Sequence, residues 1–166
     1  DPQEAAELNW LINVASDRIE AECNRVFAKT QYSAEAYLGD GRRLLALRQY
    51  PVLSVSLVTL NAEVISDFST DPAAGLLFRQ NGWPKHAEIS VTYDAGYVLP
   101  KDASDEQPRT LPFELEAACV LLVAQLYNQR GSEHLSAEAV GPLKWTYLEE
   151  IPAVRASMNK YRRPLL

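Results

Sequence analysis

Apolar residues recur at three- and four-residue steps at the start of the chain: Leu8, Leu11, Ile12, Ala15, Ile19, Cys23 and Val26. That spacing places them on one face of a helix over residues 3–27. Glu4, Glu7, Asp17, Arg18, Glu20 and Arg25 fall largely on the opposite face. Trp10 sits beside the apolar stripe and reads as an anchor at the edge of the core, with a partner contact as the lesser alternative. From about residue 31 the period changes to two. Leu53, Val55 and Leu57 alternate with Ser54 and Ser56, and Ile89, Val91 and Tyr93 alternate with Glu88, Ser90 and Thr92. Such alternation predicts half-buried antiparallel strands in a β insertion over residues 31–98. Gly39-Asp40-Gly41 is a turn signal, and Pro51 separates two strands. Residues 67–75 and 80–85 read as loops, with a short strand at 76–78 between them.

Helical spacing returns at about residue 111, after a polar, proline-bounded linker at 101–108. Pro112 suits a first helical turn, where its missing N–H costs nothing. Glu114 and Glu116 suit the positive end of the helix dipole, and Arg130-Gly131 its end. A helix over 111–130 follows. Its stretch 117–124 is apolar on every face, so it must be covered all round, by its own chain or partly by a neighbouring subunit. Residues 132–148 show little periodicity and contain Gly141-Pro142, which reads as an extended arm. Lys144-Trp145-Thr146-Tyr147 within it fits a short strand. A third helix over 152–162 places Val154, Met158 and Tyr161 on one face, and Pro164 ends it. The fold class is α+β: a small bundle of three principal helices with an inserted antiparallel β module, read as one domain over 1–166.

At 166 residues, with 47% apolar and 23% charged side chains, the chain can bury a sizeable core. No apolar run approaches the ~20 residues that a membrane span needs. Net charge is −6, and the basic residues are scattered, with pairs only at Arg42-Arg43 and Arg162-Arg163. A duplex binder carries a basic stripe that displaces counterions from phosphate, and none is present. Cys23 and Cys119 each fall in a helical apolar stripe and read as buried free thiols. His86 and His134 are isolated, so no metal site is expected. Tyr97 and Lys101 echo a dehydrogenase spacing, but Pro100 prevents a shared helical face. No nucleophile, carboxylate pair in a pocket or phosphate loop appears, so neither enzyme activity nor a cofactor is expected.

One ordered set of short motifs carries a family resemblance. It runs Ala15-Ser16-Asp17-Arg18-Ile19-Glu20, Asn24-Arg25-Val26-Phe27, Leu47 with Pro51-Val52-Leu53-Ser54-Val55, and Tyr93-Asp94-Ala95-Gly96-Tyr97. It continues with Leu111-Pro112, Leu115-Glu116-Ala117-Ala118, Tyr127-Asn128-Gln129-Arg130, Glu138 with Gly141, Pro152 with Val154, and Tyr161-Arg162-Arg163-Pro164. In this order the chain resembles the head–tail connector, or head-completion adaptor, proteins of long-tailed bacteriophages. The resemblance implies a structural virion protein, made in the host cytoplasm and placed at the head–tail interface. It implies self-association into a ring of about a dozen subunits beneath the portal protein, since head-to-tail contacts close by rotation. The implied partners are further copies, the portal protein, and the next connector or tail-completion protein. DNA would pass through the ring without tight binding, and no membrane is involved. The alternative is a phage DNA-packaging or DNA-binding accessory protein.

Candidate subunit or portal contacts are Ala117, Val120 and Leu121 in the apolar span, Lys144, Trp145 and Tyr147 in the arm, and Tyr161, Arg162 and Arg163 near the C-terminus. Arg162-Arg163 suits the end of a helix dipole and also offers an anchor for an acidic surface. From the charge balance, duplex DNA binding should be weak and strongly salt-dependent. Fluorescence anisotropy with a labelled duplex checks this. Micromolar or tighter affinity at physiological salt would favour the packaging-protein alternative.

Overall fold

The computed structural model describes residues 1–129, 137–140, 143–146 and 152–163. The chain divides into two compact units. One joins Asp1–Arg25 to Pro112–Leu166, and the other is the continuous stretch Val26–Leu111. The switches in hydrophobic period near residues 31 and 111 lie close to these boundaries.

The first unit contains helices α1 (Pro2–Cys23), α2 (Phe113–Gln129) and α3 (Pro152–Tyr161). The Asp1 carboxylate caps α1 by accepting from the Gln3 N–H at 3.0 Å. The helix stops four residues short of the expected Phe27 because Asn24 takes the left-handed conformation, at φ 52°. Asparagine tolerates that geometry better than most residues. The Asn24 N–H closes the last turn onto the Ala21 carbonyl at 3.2 Å. Inside the unit, Leu11, Ala15, Ile19 and Cys23 are buried at strict four-residue steps, along with Leu115, Ala118 and Leu122 of α2 and Val154 and Met158 of α3. α2 packs against both other helices. The Cys23 thiol donates to the Met158 carbonyl at 3.4 Å, and burial pushes its pKa up. Both cysteines are free thiols: Cys23 is buried and Cys119 partly so. Within the stretch read as an arm, β8 (Ala137–Val140) and β9 (Leu143–Thr146) form an antiparallel pair.

The second unit is all antiparallel apart from one isolated bridge. A four-stranded sheet has the order β1 (Thr30–Leu38), β7 (Glu88–Ala95), β3 (Val52–Leu60), β4 (Glu63–Val64). A smaller one has the order β2 (Leu44–Ala46), β6 (Leu76–Phe78), β5 (Ser69–Asp71). β5 lies inside a stretch expected to be loop; its three residues, none of them apolar, pair with β6. β7 alternates as expected, with Ile89, Val91, Tyr93 and Ala95 buried. β3 does not. Leu53 and Leu57 are exposed, whereas Val52 and Val58 are buried. Irregularities between Val52 and Ser54 and between Val55 and Leu57 each add a residue against β7. Each extra residue resets the face, so the inward spacing on β3 becomes three rather than two. The core joins Leu45, Leu47 and Leu77 to Val52, Val58, Ile89, Val91, Tyr93 and Trp83. The fully buried Trp83 indole donates to the Leu77 carbonyl at 3.4 Å.

The chain arrives in this unit and leaves it side by side. The Tyr97 N–H donates to the Phe27 carbonyl at 2.8 Å, and the Lys29 N–H donates to the Tyr97 carbonyl at 2.9 Å. Ala28 and Tyr97 form an isolated parallel bridge. The Phe27 and Tyr97 rings stack at 6.4 Å. Gly96 makes this crossing possible: its φ is +109°, and a Cβ there would lie 2.5 Å from the Ala28 carbonyl oxygen.

A polar node locks the sheet to the loop before β3. The Glu35 carboxylate accepts from the Tyr93 hydroxyl at 2.6 Å and from the Tyr37 hydroxyl. Arg48 reaches its other oxygen at 3.3 Å. The Arg48 and Gln49 N–H groups donate to the two tyrosine hydroxyls at 3.0 and 3.3 Å. A bulge on β1 between Tyr32 and Glu35 aligns Glu35 with the buried Val91. Replacing Glu35 with Ala should cost about 1.5–3 kcal/mol, the range for a hydrogen bond to a charged group, read by chemical denaturation. Burial, and then the bond to Glu35, push Tyr37 from 10.0 up to about 12. The neutral phenol is therefore favoured in the folded state. Its contribution is intact below pH 10.0 and is lost as pH rises toward about 12. Stability curves across that window, compared with Tyr37→Phe, check the sign.

Candidate functional site

The charge-free stretch of α2 from Ala117 to Gln129 divides cleanly by face. Leu115, Ala118 and Leu122 point into the helical core and are nearly fully buried. On the opposite side Phe113, Ala117, Val120, Leu121 and Ala124 are exposed, with Phe113 at 75% and Val120 at 61%. At 100° per residue these five occupy one stripe. Among the described residues the chain covers one side of this helix and leaves the other apolar face exposed, so full cover by the chain's own described residues is not seen. An exposed apolar stripe of this kind is a candidate contact surface. Phe113 was missed as a candidate, although its place four residues before Ala117 would have put it on the same face.

The C-terminal candidates are tied into the fold. Tyr161 ends α3 and is half-buried, and its hydroxyl donates to the Glu114 carboxylate at 3.2 Å. Lys160 meets the same carboxylate at 2.7 Å, which holds the Glu114 pKa below its ordinary value and raises that of Lys160. The Tyr161 carbonyl accepts from the buried Arg25 guanidinium at 3.5 Å. The Arg163 N–H donates to the Cys23 carbonyl at 2.8 Å, fastening the end of the chain to the end of α1. Arg162 is exposed and Arg163 half-buried. Lys144 and Trp145 lie in β9, opposite Ala139 and Glu138. Tyr147 lies outside the described residues. The candidates thus fall into three places: an open helix face, a short hairpin, and a C-terminal corner of which Tyr161 and Arg163 are integral parts.

Trp10 is 63% exposed on α1, away from the buried stripe, so it is not a core-edge anchor. Trp10 is one residue before Leu11, which rotates it about 100° off the core face. Among the described residues no group of three or more His, Cys, Asp or Glu could hold a metal ion, and no helix is long and apolar enough to cross a membrane. An open surface cleft of about 380 Å³ is lined by Asp1, Gln3, Glu4, Glu7 and Tyr127.

A family model described as head completion protein matches residues 1–163. The chain belongs to that family. The match spans both units. Solved structures share the fold at low sequence identity. A chain in the neck of an empty GTA particle, computed with C6 symmetry, is 19% identical with a TM-score of 0.63, over 97% of this chain and 80% of that one. A chain in the virion of a native gene transfer agent particle is 20% identical with a TM-score of 0.60, over 97% and 79%. A chain in the neck of the native GTA particle, computed with C12 symmetry, is 21% identical with a TM-score of 0.56, over 97% and 84%. No curated protein matches the chain in sequence.

The two faces of α2 should respond differently to truncation. Leu122→Ala removes a buried side chain and should cost about 2–5 kcal/mol. Leu121→Ala, one residue away on the open face, should stay within about 0.5 kcal/mol. Parallel urea denaturation of the isolated protein checks the contrast.

Proposed function

We propose that this head completion protein is a structural subunit of the head–tail connector, forming a ring beneath the portal that presents a docking surface to the next connector or tail component. The observation that carries this reading is the open, uncharged face of α2 on a chain of the head completion family. A ring subunit needs surface that stays apolar and uncovered until assembly, and it needs no catalytic group. The C6 and C12 symmetries of the particles whose necks hold chains of the same fold support a cyclic arrangement. The net charge of −6 suits a ring that lets DNA pass without retaining it. In this reading the protein belongs at the head–tail junction of the virion. Its contacts with other subunits and with the portal draw on Ala117, Val120 and Leu121, on Lys144, Trp145 and Tyr147, and on Tyr161, Arg162 and Arg163.

The protomer should be monomeric or weakly associated alone and assemble into a ring on the portal. Mass photometry of the protein with and without the portal protein tests this; a failure to form any ring under either condition would overturn it. In this reading the Trp145 ring docks on a neighbouring molecule, so its burial belongs to the assembly and not to the isolated subunit. Trp145→Ala should therefore impair ring or portal attachment and leave the melting temperature of the isolated protein nearly unchanged. Collapse of the isolated variant would instead make Trp145 a core residue.

A further inference from the structure

Two surfaces of opposite character remain outside the α2 face, one on each unit. In the second unit the turn at Gly39-Asp40-Gly41 is zipped to the loop before β7. The Gly41 N–H donates to the Trp83 carbonyl, the Trp83 N–H to the Arg42 carbonyl and the His86 N–H to the Gly39 carbonyl, each at 2.8 Å. The Arg79 N–H donates to the Arg43 carbonyl at 2.9 Å. Gly39 is needed for this approach, since a Cβ there would lie 2.0 Å from the Pro84 carbonyl oxygen. The result is a stiff double loop. Arg79 is used internally, against Asp67 at 3.0 Å and over the Trp83 ring. Arg42, Arg43 and Lys85 are exposed on it, and Arg42 meets Asp40 at 3.4 Å. The Arg42 side chain is 83% exposed. Where β2 and β6 adjoin the loop, Leu44 and Phe78 sit opposite each other and are also exposed, at 51% and 37%.

The first unit carries the complement. α1 holds five carboxylates against the single cation Arg18. Its exposed Trp10 is flanked on the same side of the helix by Glu7 and Asp17, three residues before and seven after. One chain therefore presents a basic surface with apolar groups and an acidic surface with an aromatic group. Neither is self-complementary, so a two-fold axis through either surface would set like charges together. A head-to-tail contact sets them in opposition, and only such contacts close into rings.

We infer that Trp10, Glu7 and Asp17 of one copy dock against the Arg42, Arg43 and Lys85 double loop of the next copy. This rests on the ring reading above and assigns the lateral contact within it. Trp10 supplies the anchor, packing among Leu44, Phe78 and the guanidinium planes. The carboxylates and cations set the register and the choice of neighbour. The double loop is ordered beforehand by its backbone hydrogen bonds, so little entropy is lost on contact.

The test uses the full chain in its ring-forming condition, with a mixture of heavy-nitrogen-labelled and unlabelled protein. A carbodiimide should join the Lys85 amine to the Glu7 or Asp17 carboxylate in peptides of mixed isotope, which can arise only between copies. The triple reversal Arg42→Glu, Arg43→Glu, Lys85→Glu should lower ring yield by about tenfold or more, with the melting temperature of the isolated protein unchanged. Adding Glu7→Lys and Asp17→Lys should restore it. Trp10→Ala should lower ring yield without reversing any charge. Rings formed at full yield by the triple reversal or by Trp10→Ala would overturn this contact and leave the ring reading standing. An unaltered chain that never forms rings would overturn both.

Discussion

The β module depends on one backbone crossing, where the incoming strand at 27–29 meets the outgoing strand at 96–98. Two hydrogen bonds and one stacked pair of rings hold it. Its closeness is set by Gly96, because any side chain there would strike the Ala28 carbonyl. The Gly96 N–H also donates to the Pro51 carbonyl at 2.9 Å, so the same point fixes the start of β3. From there the register of β3 on β7 follows, and with it the placement of Val52, Val55 and Val58 over the core. Loosening the crossing would therefore free three strands at once.

One of the motifs that carries the family resemblance is built around this crossing. In Tyr93-Asp94-Ala95-Gly96-Tyr97 each residue has a separate task. Tyr93 fills the core and donates to Glu35. Asp94 accepts from the Ser54 hydroxyl at 2.9 Å across to β3. Ala95 is fully buried where a larger side chain has no room, Gly96 permits the crossing, and Tyr97 stacks on Phe27. The Asn24-Arg25-Val26-Phe27 corner is similar. Asn24 ends α1, Arg25 holds the end of α3, the Val26 N–H donates to the Gln49 side chain at 3.1 Å, and Phe27 completes the stack.

Helices and strand class were legible because period is a property of local spacing. The buried face of β3 was not, because bulges depend on which strand lies opposite, and single-strand alternation carries no record of that. β5 was missed because Ser69-Thr70-Asp71 carries no apolar residue, unlike the equally short Leu76-Leu77-Phe78 of β6. The open face of α2 was half legible. Its composition announced a helix that needs cover, but uniform apolarity hides which side the chain itself covers. Only the positions of Leu115, Ala118 and Leu122 decide it. The core-edge reading of Trp10 fails because the residue adjoins the stripe in sequence and lies off it in rotation.

The two units differ in how the chain supplies them. The β module is one uninterrupted stretch, whereas the helical unit is drawn from both ends of the chain. A ribosome delivers α1 first, then all of the module, and only afterwards α2 and α3. Every strand of the module is therefore on hand before the helical partners of α1 are made. Once its two ends are clamped at Ala28 and Tyr97, α1 and α2 are joined through a short tether rather than a long floppy loop, and the closure entropy for packing them falls accordingly. The crossing at Gly96 thus shortens the loop that the helical unit has to close, although it lies outside that unit.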